Sequence, residues 1–112
     1  MQTSEVATTP GLDTVHHVAV PVEDLDATLR WYLETFVCRV LYKDETWALL
    51  EFANTRLAFV RPDQHPMHIA IERPDAQKFG PLRSHRDGVR YTYISDPSGN
   101  TLEILAPSEN EQ

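Results

Sequence analysis

The 112-residue chain has little cysteine, little glycine and few positive charges. Its single cysteine, Cys38, cannot form a disulfide within the chain, which favours a reducing compartment, and we expect a cytoplasmic protein. Ten basic residues stand against 17 acidic ones, giving a net charge of −7. Because an acidic surface repels phosphate groups, neither nucleic acid nor an anionic membrane is expected as a partner.

Long apolar runs are also missing. No stretch approaches the about 18 apolar residues of a membrane-spanning helix, and the first residues lack the basic start and apolar core of a secretory signal. The polar ends, residues 1–13 and 108–112, are predicted to be disordered. Residues 14–107 are then predicted to form a single domain around one hydrophobic core.

The chain does contain a repeated order of secondary-structure elements. Apolar periodicity in the first half predicts a strand, a helix and three strands, with Asp24 as the helix N-cap. The second half predicts a strand, a short helix broken near Gly80 and Pro81, and two strands joined by the turn DPSGN. We therefore predict an α+β fold of two βαβββ-type modules, of which the second is abbreviated.

Four strands place an unusual residue opposite their apolar face. Because side chains alternate along a strand, His17, Ala58, His68 and Glu103 are all predicted to lie on the sheet face that does not carry the core. His16 is predicted to lie on the core face, beside the valines of the same strand. Two imidazoles and one carboxylate would then share a surface.

Two histidines and one carboxylate form half of an octahedral shell around a divalent metal and leave positions for substrate, water or dioxygen. Ligands on separate strands produce no local spacing motif, so the pattern by itself is a weak signal. Periodicity alone favours ordinary histidines and a solvated glutamate over a metal site.

Three segments of the chain resemble the vicinal-oxygen-chelate superfamily, which includes glyoxalase I, extradiol dioxygenases, methylmalonyl-CoA epimerases and bleomycin-resistance proteins. They are VHHVAVPVEDLDATLRWYLETF (residues 15–36), HPMHIAIE (65–72) and HRDGVRYTYISDPSGNTLEIL (85–105). DPSGNTLEI is the most specific of the matching pieces. The resemblance implies a curved mixed sheet around a metal or ligand cleft.

The resemblance also implies a ligand set. The family's metal-binding histidines and glutamate match His17, His68 and Glu103, and the implied cofactor is a divalent ion such as Fe, Mn, Zn or Ni. Many members carry a fourth ligand at the position of Ala58, which cannot bind a metal. This departure disfavours a glyoxalase I of the usual kind and makes the site similar to the three-ligand sites of extradiol dioxygenases and fosfomycin transferases.

Other residues have less certain roles. Tyr91 and Tyr93 share a strand face and are candidates for hydrogen bonding to a substrate oxygen, although amphipathic packing also explains them. Glu51 is a candidate base near the metal, or else a solvated or paired glutamate. We expect His65 at a strand edge in solvent, and His85 in a loop.

The second half is short enough that one strand and part of a helix are predicted to be missing. Small members of the superfamily often build their site between two chains, so a homodimer is expected. The hypothesis favoured by the retained ligands is a metal-dependent dioxygenase, lyase or transferase acting on a small oxygen-bearing substrate. The alternatives are a non-catalytic small-molecule-binding protein of the bleomycin-resistance kind and a domain kept for structural purposes.

Overall fold

The computed structural model describes residues 11–85 and 88–107. Most of the predicted disordered lead, residues 1–10, and the predicted tail, residues 108–112, lie outside these ranges. Within them no helix is long and apolar enough to cross a membrane. The elements are β1 (Thr14–Pro21), α1 (Leu25–Thr35), β2 (Arg39–Lys43), β3 (Trp47–Glu51), β4 (Arg56–Val60), β5 (His68–Glu72), a 3-10 helix (Ala76–Phe79), β6 (Arg83–Ser84), β7 (Arg90–Ser95) and β8 (Thr101–Leu105).

All eight strands form one curved, open sheet in the order β2-β3-β4-β1-β5-β8-β7-β6. Exchanging the first four strands for the last four reverses this order and leaves it otherwise unchanged, so the modules are related by a pseudo-two-fold axis between β1 and β5. These two central strands run antiparallel, while β1–β4 and β5–β8 are parallel pairs. The predicted α+β fold of two βαβββ-type modules is confirmed.

Helix α1 covers the outer face of the first module. Asp24 caps it by accepting a hydrogen bond from the Ala27 amide at 3.0 Å, as its sequence position predicts. The helix contributes Leu29 to the main core, where it meets apolar residues of β3 and β4. The buried members of this core are Val22, Leu29, Ala48, Leu50 and Phe59.

The second module is reduced but keeps all four strands. Its helix is a single 3-10 turn, and the strand predicted to be missing survives as the two residues of β6, which pair with β7. Gly80 follows the turn with φ +155°, and a Cβ atom there would lie 2.8 Å from Thr92 Oγ1, so the chain passes very close to β7. Because no full helix covers this half, Met67 and Ile69 remain 60% and 41% exposed.

A β-bulge interrupts the alternation of β1. Val15 pairs with Ile71 and His17 pairs with Ala70, which leaves His16 as an extra residue between the two pairs. The side chains of His16 and His17 consequently turn towards each other, with their Nδ1 atoms 2.8 Å apart. The prediction that His16 lies on the core face is wrong because strict alternation holds only in a regular strand.

The core between α1 and the sheet predicts that two leucines contribute very differently to the free energy of unfolding. Leu50 is fully buried, whereas Leu12 is 70% exposed. We expect Leu50→Ala to lower the free energy of unfolding by about 2–5 kcal/mol, since it removes buried methyl groups and leaves a cavity. The matched Leu12→Ala change should cost at most about 0.5 kcal/mol in urea denaturation. Equal losses in the two variants would contradict this core assignment.

Candidate metal centre

The face of the sheet opposite α1 borders a cavity of about 680 Å³. All five histidines of the chain line it, together with Glu103 and Tyr93. The far part of the lining is more apolar and includes Trp47, Leu49 and Val60. The cavity therefore combines a histidine-rich polar region with an apolar wall. Its histidines are His16, His17, His65, His68 and His85.

The three predicted ligands converge because of the strand register. His17 on β1, Ala70 on β5 and Glu103 on β8 are direct cross-strand neighbours. Ala70 between them carries only a methyl group, so the two longer side chains meet above it, with His17 Nε2 3.6 Å from Glu103 Oε1. His68 lies on the same face of β5 and brings its Nε2 to 3.2 Å from the same oxygen.

This arrangement fits a divalent ion. Ligand atoms of His17, His68 and Glu103 all lie within 4.8 Å of one another. Donors about 2.1 Å from a common ion are separated by roughly 3.0 Å in cis-octahedral and 3.4 Å in tetrahedral geometry, close to the separations found here. Imidazole and carboxylate together suit zinc, iron, nickel and manganese.

Hydrogen bonds orient the donors. His68 Nδ1 donates to the Pro66 carbonyl at 2.9 Å, which leaves Nε2 directed at the cluster. Burial alone would lower the pKa of His68, but its bonds to Glu103 and to that carbonyl raise the pKa above its ordinary value. Burial would likewise raise the pKa of Glu103, yet the surrounding imidazoles hold it far below its usual range. The carboxylate is therefore ionised and available to a cation.

The pseudo-two-fold axis shows that Ala58 occupies the position equivalent to that of Glu103. Glu103 pairs with the residue two beyond His68 on β5, and Ala58 pairs with the residue two beyond His17 on β1. The axis thus relates His17 to His68 and Ala58 to Glu103. Ala58, which the sequence resemblance matched to the position of a fourth ligand, also lines the cavity. The site has a donor on one side of the axis and space on the other.

Two histidines that the sequence did not assign to the site belong to it. His65 was expected in solvent, but it lines the cavity with Nδ1 3.5 Å from the Tyr93 hydroxyl oxygen. Burial and the nearby charge of His68 lower its pKa, which favours the neutral imidazole. His85 does lie in a loop, yet its Nε2 is 2.6 Å from Glu103 Oε2. Neither residue lies in a strand, so periodicity gave no signal for them.

The three remaining candidates, Tyr93, Tyr91 and Glu51, lie at different distances from the cluster. Tyr93 lines the cavity, and its ring lies edge-on to His68; burial raises its pKa well above the ordinary value, so the hydroxyl stays protonated. Tyr91 meets the site through His85, on whose ring it stacks. Glu51 is not brought to the cluster, because its carboxylate pairs with Arg39 on the protein surface.

The apolar wall contains an aromatic pair. Tyr42 stacks on Trp47 with ring centroids 4.5 Å apart. Asp44 fixes the turn between them by accepting hydrogen bonds from the Thr46 and Trp47 amides at 2.7 and 3.0 Å. Among the cavity-lining residues that the structure describes, none is lysine or arginine. The stacked pair gives the wall an apolar, aromatic surface that suits an apolar or aromatic group.

No family model matches the sequence, and no curated protein matches it either. Solved structures do match: methylmalonyl-CoA epimerase from Mycobacterium tuberculosis superposes with a TM-score of 0.70 at 15% identity, covering 96% of this chain and 97% of that one. A glyoxalase/bleomycin resistance protein/dioxygenase superfamily member from Vibrio splendidus 12B01 gives 0.66 at 10% identity, covering 86% and 100%. This chain has the vicinal-oxygen-chelate fold. A second methylmalonyl-CoA epimerase, solved with methylmalonyl-CoA and NH4+, gives 0.66 at 18% identity over 88% and 97%.

The superpositions, with TM-scores of 0.66 to 0.70, show the vicinal-oxygen-chelate fold, and identities of 10 to 18% show no reaction. The resemblance found in the sequence is confirmed at the level of the fold. Whether His17, His68 and Glu103 act as ligands stays a prediction, now with a geometry that fits it.

The space at Ala58 allows a gain-of-function test. Ala58→Glu restores a carboxylate at the position related to Glu103, and we expect it to raise the affinity for Mn²⁺ or Zn²⁺ by about tenfold, equivalent to about 1.4 kcal/mol. Ala58→Gln is the control with matched shape and no charge, and it should give a smaller increase or none. Isothermal titration measures both, and a fall in affinity for the glutamate variant alone would count against the symmetry argument.

Proposed function

We propose that this protein is a metal-dependent enzyme of the vicinal-oxygen-chelate kind, acting on a small oxygen-bearing substrate. His17, His68 and Glu103 would hold one divalent ion, with Fe, Mn, Zn and Ni as the candidates. The proposal is supported above all by the convergence of these three donors beside a cavity of about 680 Å³. The enzyme names carried by neighbours of the same fold, two of them epimerases, are consistent with it.

A divalent ion bound there supplies Lewis-acid polarisation of a substrate oxygen. The chain's own residues account for the rest of the chemistry. Tyr93 keeps its proton and can donate a hydrogen bond to a substrate oxygen inside the cavity. His65, whose neutral form is favoured and which lies beside Tyr93, can accept a proton from the substrate.

Glu51 does not act as the base, since it pairs with Arg39 and lies outside the cavity lining. The apolar wall holds the body of the substrate.

A homodimer remains part of the proposal. Val40, Leu41 and Tyr42 on the edge strand β2 are each at least 40% exposed, and an edge strand that carries exposed apolar side chains favours association. A cytoplasmic location stays a prediction from the single cysteine.

Metal content is the deciding measurement. We expect about one Fe, Mn, Ni or Zn per chain in native protein prepared without chelators, and none in His68→Ala, which removes a buried donor of the cluster. His65→Ala is the matched control, because it removes a histidine of the same cavity outside the cluster and should retain the ion. If the native protein stays empty when offered each ion in turn, the enzyme hypothesis fails.

Turnover separates an enzyme from a binding protein. The metal-loaded protein is offered a catechol under air, the hemithioacetal of methylglyoxal, and methylmalonyl-CoA, and product formation is followed alongside binding. We expect multiple turnovers with a compound that chelates through two oxygens, and a fall in kcat of about 10–100-fold in Tyr93→Phe, which loses the hydroxyl donor and keeps the ring. Saturable binding of these compounds without turnover would instead favour the small-molecule-binding alternative.

A further inference from the structure

Glu103 uses its two carboxylate oxygens for different partners. Oε1 faces His17 and His68, at 3.6 and 3.2 Å, while Oε2 lies 2.6 Å from His85 Nε2. An ionised carboxylate can only accept hydrogen bonds. His85 Nε2 therefore carries a hydrogen atom and donates a hydrogen bond to Oε2. This charge-assisted hydrogen bond and the burial of Glu103 both restrict rotation of its carboxylate.

His85 is itself held from two sides. Its ring lies parallel to that of Tyr91, with centroids 3.7 Å apart and an interplanar angle of 8°. Its backbone amide donates to the Val89 carbonyl at 2.8 Å, and its carbonyl accepts from the Gly88 amide at 2.9 Å. Stacking on Tyr91 fixes the plane of the imidazole, and the backbone hydrogen bonds fix the position of the His85 main chain. The Nε2–H group therefore has a defined direction towards Glu103.

His85 touches Glu103 but is not part of the group of three predicted ligands. The donors that lie within 4.8 Å of one another are those of His17, His68 and Glu103, and His85 is not among them. The Glu103 carboxylate stands between His85 and the other two imidazoles, since its opposite oxygens face them. This placement is that of a residue that supports a ligand rather than one that binds the ion.

We propose that His85 is a positioning residue that holds Glu103 in a one-oxygen binding mode by occupying Oε2. The inference rests on the metal site of the proposed function. With Oε2 engaged, Glu103 offers Oε1 alone, and the protein supplies three donor atoms. A six-coordinate ion would then keep three positions, enough for a substrate that chelates through two oxygens. Without His85, both oxygens of Glu103 would be free to bind and one of those positions would be lost.

The test uses the full-length protein and Co²⁺ as the probe ion. His85→Ala should weaken Co²⁺ binding by roughly 10–100-fold, the usual effect of losing a hydrogen bond to a ligand, while one ion per chain still binds. The visible absorption spectrum of the Co²⁺ form should change at the same time, because the coordination of Glu103 changes. A loss of packing alone would leave that spectrum as it is.

Two further variants separate the hydrogen bond from the ring. His85→Gln keeps an N–H donor and should recover part of the affinity and of the spectrum. His65→Ala, the control from the same cavity, should match the native protein in both readouts. Thermal denaturation of each variant checks that it is folded, and the 32% exposure of the His85 side chain makes the substitutions tolerable.

The outcomes are distinct. Unchanged affinity and spectrum in folded His85→Ala would overturn the positioning role while leaving the metal site intact. Complete loss of the ion, as in His68→Ala, would also overturn it, because His85 would then be a ligand. Failure of the native protein to bind Co²⁺ or any other divalent ion would remove the proposed function and this inference with it.

Discussion

The buried carboxylate of Glu103 is the constraint on which the cavity face of the sheet depends. It is 2% exposed, and an ionised group at such a position is tolerated only when it is fully compensated. Three imidazoles from three different segments supply that compensation, namely His17, His68 and His85. The sheet's register and the β6–β7 turn serve to bring those rings to one point.

Small residues make that arrangement sterically feasible. Ala19 and Ala70 are the cross-strand partners of His68 and His17, and Ala58 lines the cavity; all three are at most 2% exposed, so methyl groups stand where larger side chains would crowd the site. Bulk is placed on the other face instead, where α1 covers Leu50 and Phe59. The two faces of one sheet are thus specialised, one for packing and one for a ligand.

Sequence patterning predicted the parts of this architecture that are regular. Alternation placed His17, His68 and Glu103 on one face because the pleating is regular around His68 and Glu103, and regular in β1 from His17 onwards. It failed for His16, where a bulge adds a residue, and it had no means of locating His65 and His85, which lie outside strands. The shortened second module was recognised, but a two-residue strand such as β6 is too brief for periodicity to reveal.

The correspondence of Glu103 and Ala58 across the pseudo-two-fold axis has a consequence for how a ligand is oriented. A fully symmetric cleft would surround a flat ligand with equivalent groups on both sides of the axis. Here one side carries a carboxylate backed by His85, and the other side carries a methyl group. The two halves of any planar molecule in the cleft therefore meet different surroundings, so the site can bind such a molecule in one orientation and reject the reversed one.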